Sequence, residues 1–340
     1  MTDVAVAGNR TAWRGRLGTE PVAARPSLDA RRALQLALAA IWLLDGVLQY
    51  QGFMFTNGAN GFSGMLAGTA AGNPAVVAKP ITWDANLVDH HIVLLNATFA
   101  TIQLLLGLGI AFRPTVRVAL AASVLWSLGV WWFGEGLGGV LNGGASPLNG
   151  APGAVILYAL LAVLLWPADS EVTAPFVAAR AVGAHVARAL WAVLWLSLAY
   201  FALTPDNRAP QGVNGMIAGM ESGEPAWLQD LQKGAASLTA NQGLATSVVL
   251  GVALVLIAVG VFLPATIAKV TLGLAIVVAA LIWVFAQALG GILAGGATDV
   301  NSGPLLALLA LAYWPLRSIA AAPPTAPAVS GQPPASEGEA

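Results

Sequence analysis

Eight apolar stretches decide what this chain can fold into; they lie at residues 33–50, 90–112, 116–133, 151–166, 186–203, 243–263, 269–289 and 304–316. A bilayer core takes about 20 apolar residues per helix, fewer where neighbours shield a short one. Charged residues make up only 9% of the chain, and the mean hydropathy is +0.75. Soluble domains carry roughly 25% charge, so the pattern predicts an all-α polytopic membrane protein with eight transmembrane helices and the lipid bilayer as its first partner. The net charge of −1 provides no basic surface for a phosphate backbone, which excludes nucleic acid as a partner. With no cysteine, disulfides, thiol relays, Fe–S clusters and Cys-based zinc sites are excluded as well.

Three sequence blocks occur twice in the same order. GMLAG at 64–68, followed by Gly72, Pro74 and Ala75, returns 151 residues later as GMIAG at 215–219, followed by Gly223, Pro225 and Ala226. LGGVLNGGASPLNG at 137–150 returns as LGGILAGGATDVNS at 289–302, and Trp166-Pro167 returns as Trp314-Pro315. Four spans per copy is an even number, so both copies start on the same side of the membrane. The expected architecture is therefore two parallel four-helix repeats, at 31–168 and 186–317, unlike the inverted repeats of many alternating-access transporters. The Pro-, Ala- and Ser-rich ends at 1–30 and 318–340 read as disordered cytoplasmic tails.

Orientation follows from the cations. With the N-terminus inside, twelve of the fifteen Lys and Arg side chains are cytoplasmic, and only Lys79, Arg208 and Lys233 are external. This predicts a multi-pass protein of the plasma membrane with both termini in the cytoplasm. The basic N-terminal stretch resembles the start of a signal peptide, but cleavage after the first span would leave that copy one helix short. The long loops 51–89 and 204–242 then face outward with the Gly-rich loops. Those loops read as reentrant turns or short interfacial helices capping each bundle, or alternatively as binding loops.

Ionisable residues within a span are the best pointers to function. Asp45 stands in IWLLDGVLQY near the outer end of the first span, with Gln49 one turn on and on the same face. The second copy has no acid there, as Tyr200 and Phe201 occupy that segment. Asp84, His90 and His91 precede or open the second span, and Glu135 closes the third, where the second copy has Gln287. These six residues are expected to line one external vestibule that binds a proton or a ligand. Alternatively, Asp45 merely bonds a neighbouring helix. On a helical wheel His90, His91, Thr98 and Thr101 fall within about 100°, with Asn96 and Gln103 on a separate face. Adjacent histidines point about 100° apart and no HxxxH or ExxH pair occurs, so no metal site is assigned. A bis-His haem would need a partner histidine on another helix, and His185 is placed in the cytoplasm. Tryptophans at span ends, among them Trp131, Trp132, Trp166 and Trp314, read as an aromatic belt, although a quinone or lipid head could stack near Trp126, Trp131 or Trp132. No P-loop, GxSxG, HExxH or dinucleotide fingerprint is present.

Each four-span unit resembles the DoxX-like membrane family. The features shared are an amphipathic first span with a polar-Gly step near its outer end, here Leu44 through Gln49, and a Gly-rich external segment around 64–72. Two such units in tandem cover about residues 31–317. Where that family often has His-Gly followed by a basic residue, this chain has Asp45, Gly46 and Gln49. The resemblance implies an accessory subunit of a quinone-linked or other redox membrane complex, with quinone as its cofactor and a membrane or extracytoplasmic protein as partner. Two other readings stand beside it: a proton- or cation-coupled transporter of small solutes or metals, and a structural scaffold with no small-molecule site. The Ala-rich, Arg-over-Lys composition fits a high-GC bacterium.

Overall fold

A computed structural model of the chain describes residues 29–168 and 174–316. The expected disordered tails, and with them Arg10, Arg14, Arg16, Arg25 and Arg317, lie outside the described residues; Ala30, assigned above to the first tail, instead opens the first helix.

The described residues are helical, with one isolated bridge between Phe176 and Pro315. The first segment comprises α1 (Ala30–Leu48), α2 (Phe62–Gly68), α3 (Ala75–His90), α4 (Ile92–Ala111), α5 (Val116–Phe133) and α6 (Ala154–Leu164). After a short α7 (Val177–Val182), the second comprises α8 (Ala184–Ala202), α9 (Pro205–Arg208), α10 (Gly212–Gly219), α11 (Ala226–Thr239), α12 (Gly243–Gly260), α13 (Ala265–Leu281) and α14 (Ser302–Ala312). A π turn at Ile282–Ala286 extends α13.

Among the described residues, five helical stretches are long and apolar enough to cross a membrane: Ile92–Ala111, Arg113–Phe133, Ala184–Ala202, Gly243–Gly260 and Ala265–Ala286. Of the other three expected spans, α1 carries Arg31, Arg32 and Asp45 within its 19 residues, and α6 and α14 have only 11 residues each. The stretches at 151–166 and 304–316 are thus shorter as helices than as apolar runs. Pro152 precedes the one helix and Pro315 follows the other, and neither can donate an intrahelical hydrogen bond.

α6 and α14 pack against each other, and α14 also meets α1. Their side chains, among them Leu157, Leu161, Leu305 and Leu309, belong to one continuous buried core that joins both segments. On the outside, α4, α5, α12 and α13 present exposed apolar residues such as Leu94, Leu105, Val118, Val249, Val252 and Val270. An exposed apolar surface of this kind suits hydrocarbon and is costly in water.

α1 runs antiparallel to α4 and is pinned at both ends. At one end the Arg32 guanidinium donates to the carbonyls of Ile110 (2.9 Å) and Ala111, capping orphan acceptors at the C-terminus of α4. Gln35 Nε2 donates to Leu165 O at 2.9 Å, tying α6 to the same end. At the other end Gln49 Nε2 donates to Asn96 Oδ1 at 2.5 Å, and Asn96 Nδ2 donates back to Gln49 O at 2.9 Å.

The long connections are folded. α2 and α3 fill residues 51–89, and α9, α10 and α11 fill 204–242. The LGG turns after α5 and α13 have a common cause. Leu137 and Gly138 have φ of 57° and 64°, and Leu289 and Gly290 have 56° and 78°. A Cβ on Gly138 would collide with the Pro152 carbonyl, and one on Gly290 with the Val300 carbonyl. Glycine is therefore required twice over, by the left-handed backbone and by the closeness of the chain leading into α6 or α14.

Candidate functional site

A cavity of about 320 Å³ lies at the end of α1 remote from Arg32. α1 contributes Trp42, Asp45 and Gln49; α2 contributes Phe62, Met65 and Leu66; α3 contributes Asp84. Phe99 and Gln103 come from α4, a run from Leu125 to Phe133 from α5, and Tyr158 from α6. Glu135 lies just beyond α5, and Thr298 and Asp299 come from the loop before α14.

Asp45 is the most enclosed of the acids, at 1% exposure. Oδ2 accepts a hydrogen bond from the Tyr158 hydroxyl. Oδ1 is buried with no partner. Gln49, expected to bond Asp45, instead gives its side chain to Asn96; both residues are buried, so the amide pair satisfies itself across α1 and α4.

Glu135 is held by its Oε1, which accepts from Val155 N at 3.1 Å, while Oε2 is buried without a partner. Burial, reinforced by the Asp299 carboxylate, pushes its pKa up to about 8. Asp299 is also raised by burial, although it accepts hydrogen bonds from Asn301 N (2.6 Å) and from the Thr298 hydroxyl (2.9 Å). Burial raises Asp84 as well.

The rings form two pairs. Trp42 and Tyr158 have centroids 4.3 Å apart, and Phe99 and Trp126 5.7 Å apart. Trp42 Nε1 donates to Ser123 Oγ at 3.1 Å, which fixes the indole against α5. At the rim, Leu125 is 73% exposed and Met65 is also exposed.

Of the six residues singled out in the sequence, Asp45, Gln49, Asp84 and Glu135 are on the cavity wall, whereas His90 and His91 are not. Both histidines are exposed; His90 Nδ1 lies 2.8 Å from Asn86 O, and His91 sits at the break between α3 and α4. Thr98 and Thr101 on α4 are exposed as well and bond the carbonyls of Leu94 and Ala97. The other polar face, with Asn96 and Gln103, is the buried one. Among the described residues no group of three or more His, Asp or Glu side chains is close enough to share a metal ion.

Two wall residues escaped the sequence reading. Tyr158 lies in an unbroken apolar run and gives no local signal. Asp299 did leave a trace: it is the only acid in the repeated Gly-rich block and stands where the aligned first copy has Pro147. Titratable groups are thus not confined to the first segment, because the second sends Asp299 into this cavity.

The exchange is mutual. The loop before α14 reaches the segment just after α1, where Gln51 Nε2 donates to Ala297 O at 3.4 Å. The loop before α6 reaches the second segment, with Ser146 Oγ donating to Asn207 Oδ1 at 2.9 Å and Gln287 Nε2 donating to Pro147 O at 3.4 Å. At the counterpart of Glu135, Gln287 has its amide engaged by Ser302 Oγ (2.8 Å) and Gly303 N (3.3 Å).

The chain matches no protein-family model, no curated protein and no solved structure.

Proposed function

We propose that this chain is an integral membrane protein whose acid-lined chamber binds a small, partly apolar molecule near the outer membrane surface and couples binding to carboxyl protonation. The observation that carries this reading is the Asp45 carboxylate, with Oδ1 buried and unpartnered on the wall of a ring-lined cavity. An unsatisfied buried oxygen costs roughly 1–3 kcal/mol. Proteins retain such a cost at sites where a ligand or a proton completes the arrangement.

The proposed frame is a tandem DoxX-like duplication of eight spans, with α1, α4, α5 and α6 in one unit and α8, α12, α13 and α14 in the other. The helix order supports it: 19, 7, 16, 20, 18 and 11 residues from α1 to α6, against 19, 8, 14, 18, 17 and 11 for α8 and α10 to α14. The proposed location is the plasma membrane with cytoplasmic termini, so that Arg31, Arg32, Arg113 and Arg117 face inward. The chamber then opens outward, away from those cations.

A quinone in an accessory subunit of a redox complex is the second reading, favoured by the rings of Trp42, Trp126, Phe99 and Phe133 on the wall. Native mass spectrometry of the purified chain, against a Gly129→Trp variant that fills the chamber, tests the binding reading. A bound small molecule lost in the variant supports it, and identical spectra count against it. A quinone mass in the wild type selects the second reading.

A further inference from the structure

We propose that the chamber's ligand is an organic cation, an ammonium group bearing an apolar body; this rests on the chamber being a binding site at all. Asp45, Asp84, Glu135 and Asp299 line the chamber, and no Lys, Arg or His is among the described residues lining it. A wall with only acidic charge selects against anions and rewards a positive ligand. The independent observation is the pair of oxygens without partners, Asp45 Oδ1 and Glu135 Oε2, both buried on that wall.

The rest of the wall decides which kind of cation. Among the described residues no three carboxyls or histidines are grouped to hold a metal ion. Trp42, Trp126, Phe99, Phe62 and Phe133 contribute ring faces, which attract ammonium groups through their quadrupoles and pack against apolar substituents. A bare ion would forfeit that surface. The volume of about 320 Å³ admits a small aromatic or alkyl ammonium compound. Exposed Leu125 and Met65 at the rim give an apolar entrance suited to such a body.

Binding displaces a proton. The titratable groups that share the chamber wall with Glu135 are Asp299 from the loop before α14, Asp45 on α1, Asp84 on α3 and Tyr158 on α6, none of them positive. At neutral pH the Glu135 carboxyl is protonated, since its pKa is raised to about 8. An arriving cation favours the carboxylate, so one positive charge enters and one proton leaves, with net charge conserved. The chamber thus behaves as a cation–proton exchange site.

Three nearly isosteric probes test this on the full chain in detergent: benzyltrimethylammonium, its neutral carbon analogue neopentylbenzene, and the anion phenylmethanesulfonate. Fluorescence of the wall indoles reports binding, and pH change in weakly buffered solution reports protons. Expected are binding of the cation at least about tenfold tighter than either analogue, proton release at pH 7 that diminishes above pH 9, and loss of binding in Asp45→Asn. Should neopentylbenzene bind as tightly as the cation, or the cation bind without releasing protons at pH 7, the cation proposal is overturned while the chamber reading stands. Should no probe bind, and decylubiquinone also fail, both are overturned. The isosteric comparison uses only wild-type protein, so it holds even if Asp45→Asn does not fold.

Discussion

The Tyr158 hydroxyl on α6 donates a hydrogen bond to the Asp45 carboxylate on α1, across 113 residues of chain. This contact closes the chamber floor between two helices that nothing local in the sequence links. It also occupies one oxygen of Asp45 and leaves the other buried without a partner.

Removing that donor leaves a buried carboxyl without its side-chain partner. Tyr158→Phe is expected to lower stability by about 1–3 kcal/mol, read by chemical unfolding in detergent. Asp45→Asn with Tyr158→Phe should cost less than the sum of the single changes, because the two groups are in direct contact.

Glu135 makes stability depend on pH with a defined sign. Its pKa in the folded protein is raised to about 8 from an ordinary 4.5, so between those values the folded state holds a proton that the unfolded state has released. Its contribution is full below about 4.5, declines as pH rises through the window and is lost above about 8. Thermal unfolding from pH 5 to 9 should show falling stability, and Glu135→Gln should flatten the slope.

Much of this was legible in one dimension. Helix periodicity and cation placement mark the long apolar helices, and a lone acid in an apolar run marks Asp45. Glu135 stood out because its repeat partner is Gln287. The histidines misled because a wheel groups side chains without saying which face is buried: His90, His91, Thr98 and Thr101 are all exposed, and the buried polar face is that of Asn96 and Gln103. Gln49 found its partner on α4 rather than one turn away, and Tyr158 and Asp299 arrive through tertiary contacts that no local period encodes.

The loop exchange predicts that the two segments fold together. Fragments 1–170 and 171–340 should each be protease-sensitive when expressed alone and become resistant when coexpressed, since Ser146 bonds Asn207 and Gln51 bonds the Ala297 carbonyl across the two segments. Resistance of either fragment alone would contradict the interlock. In the intact chain Asn207→Ala should cost about 1–3 kcal/mol, by leaving the buried Ser146 hydroxyl without its acceptor.

Glycines divide by cause. Gly138→Ala places a side chain in the left-handed region and against the Pro152 carbonyl, and should cost more than about 1 kcal/mol. Gly129→Ala, inside α5 with open space around it, should instead stabilise by about 0.5–1 kcal/mol. Unfolding midpoints of the two variants compare them directly.

The most direct test of a chamber shared by both segments is an infrared titration of the Glu135 carboxyl, assigned by its loss in Glu135→Gln and repeated in Asp299→Asn. Wild type should titrate near pH 8 and the Asp299→Asn protein at lower pH, because the neighbouring carboxylate that raises Glu135 has been neutralised. An unchanged midpoint, or a wild-type midpoint in the ordinary glutamate range, would contradict the convergence of these two acids.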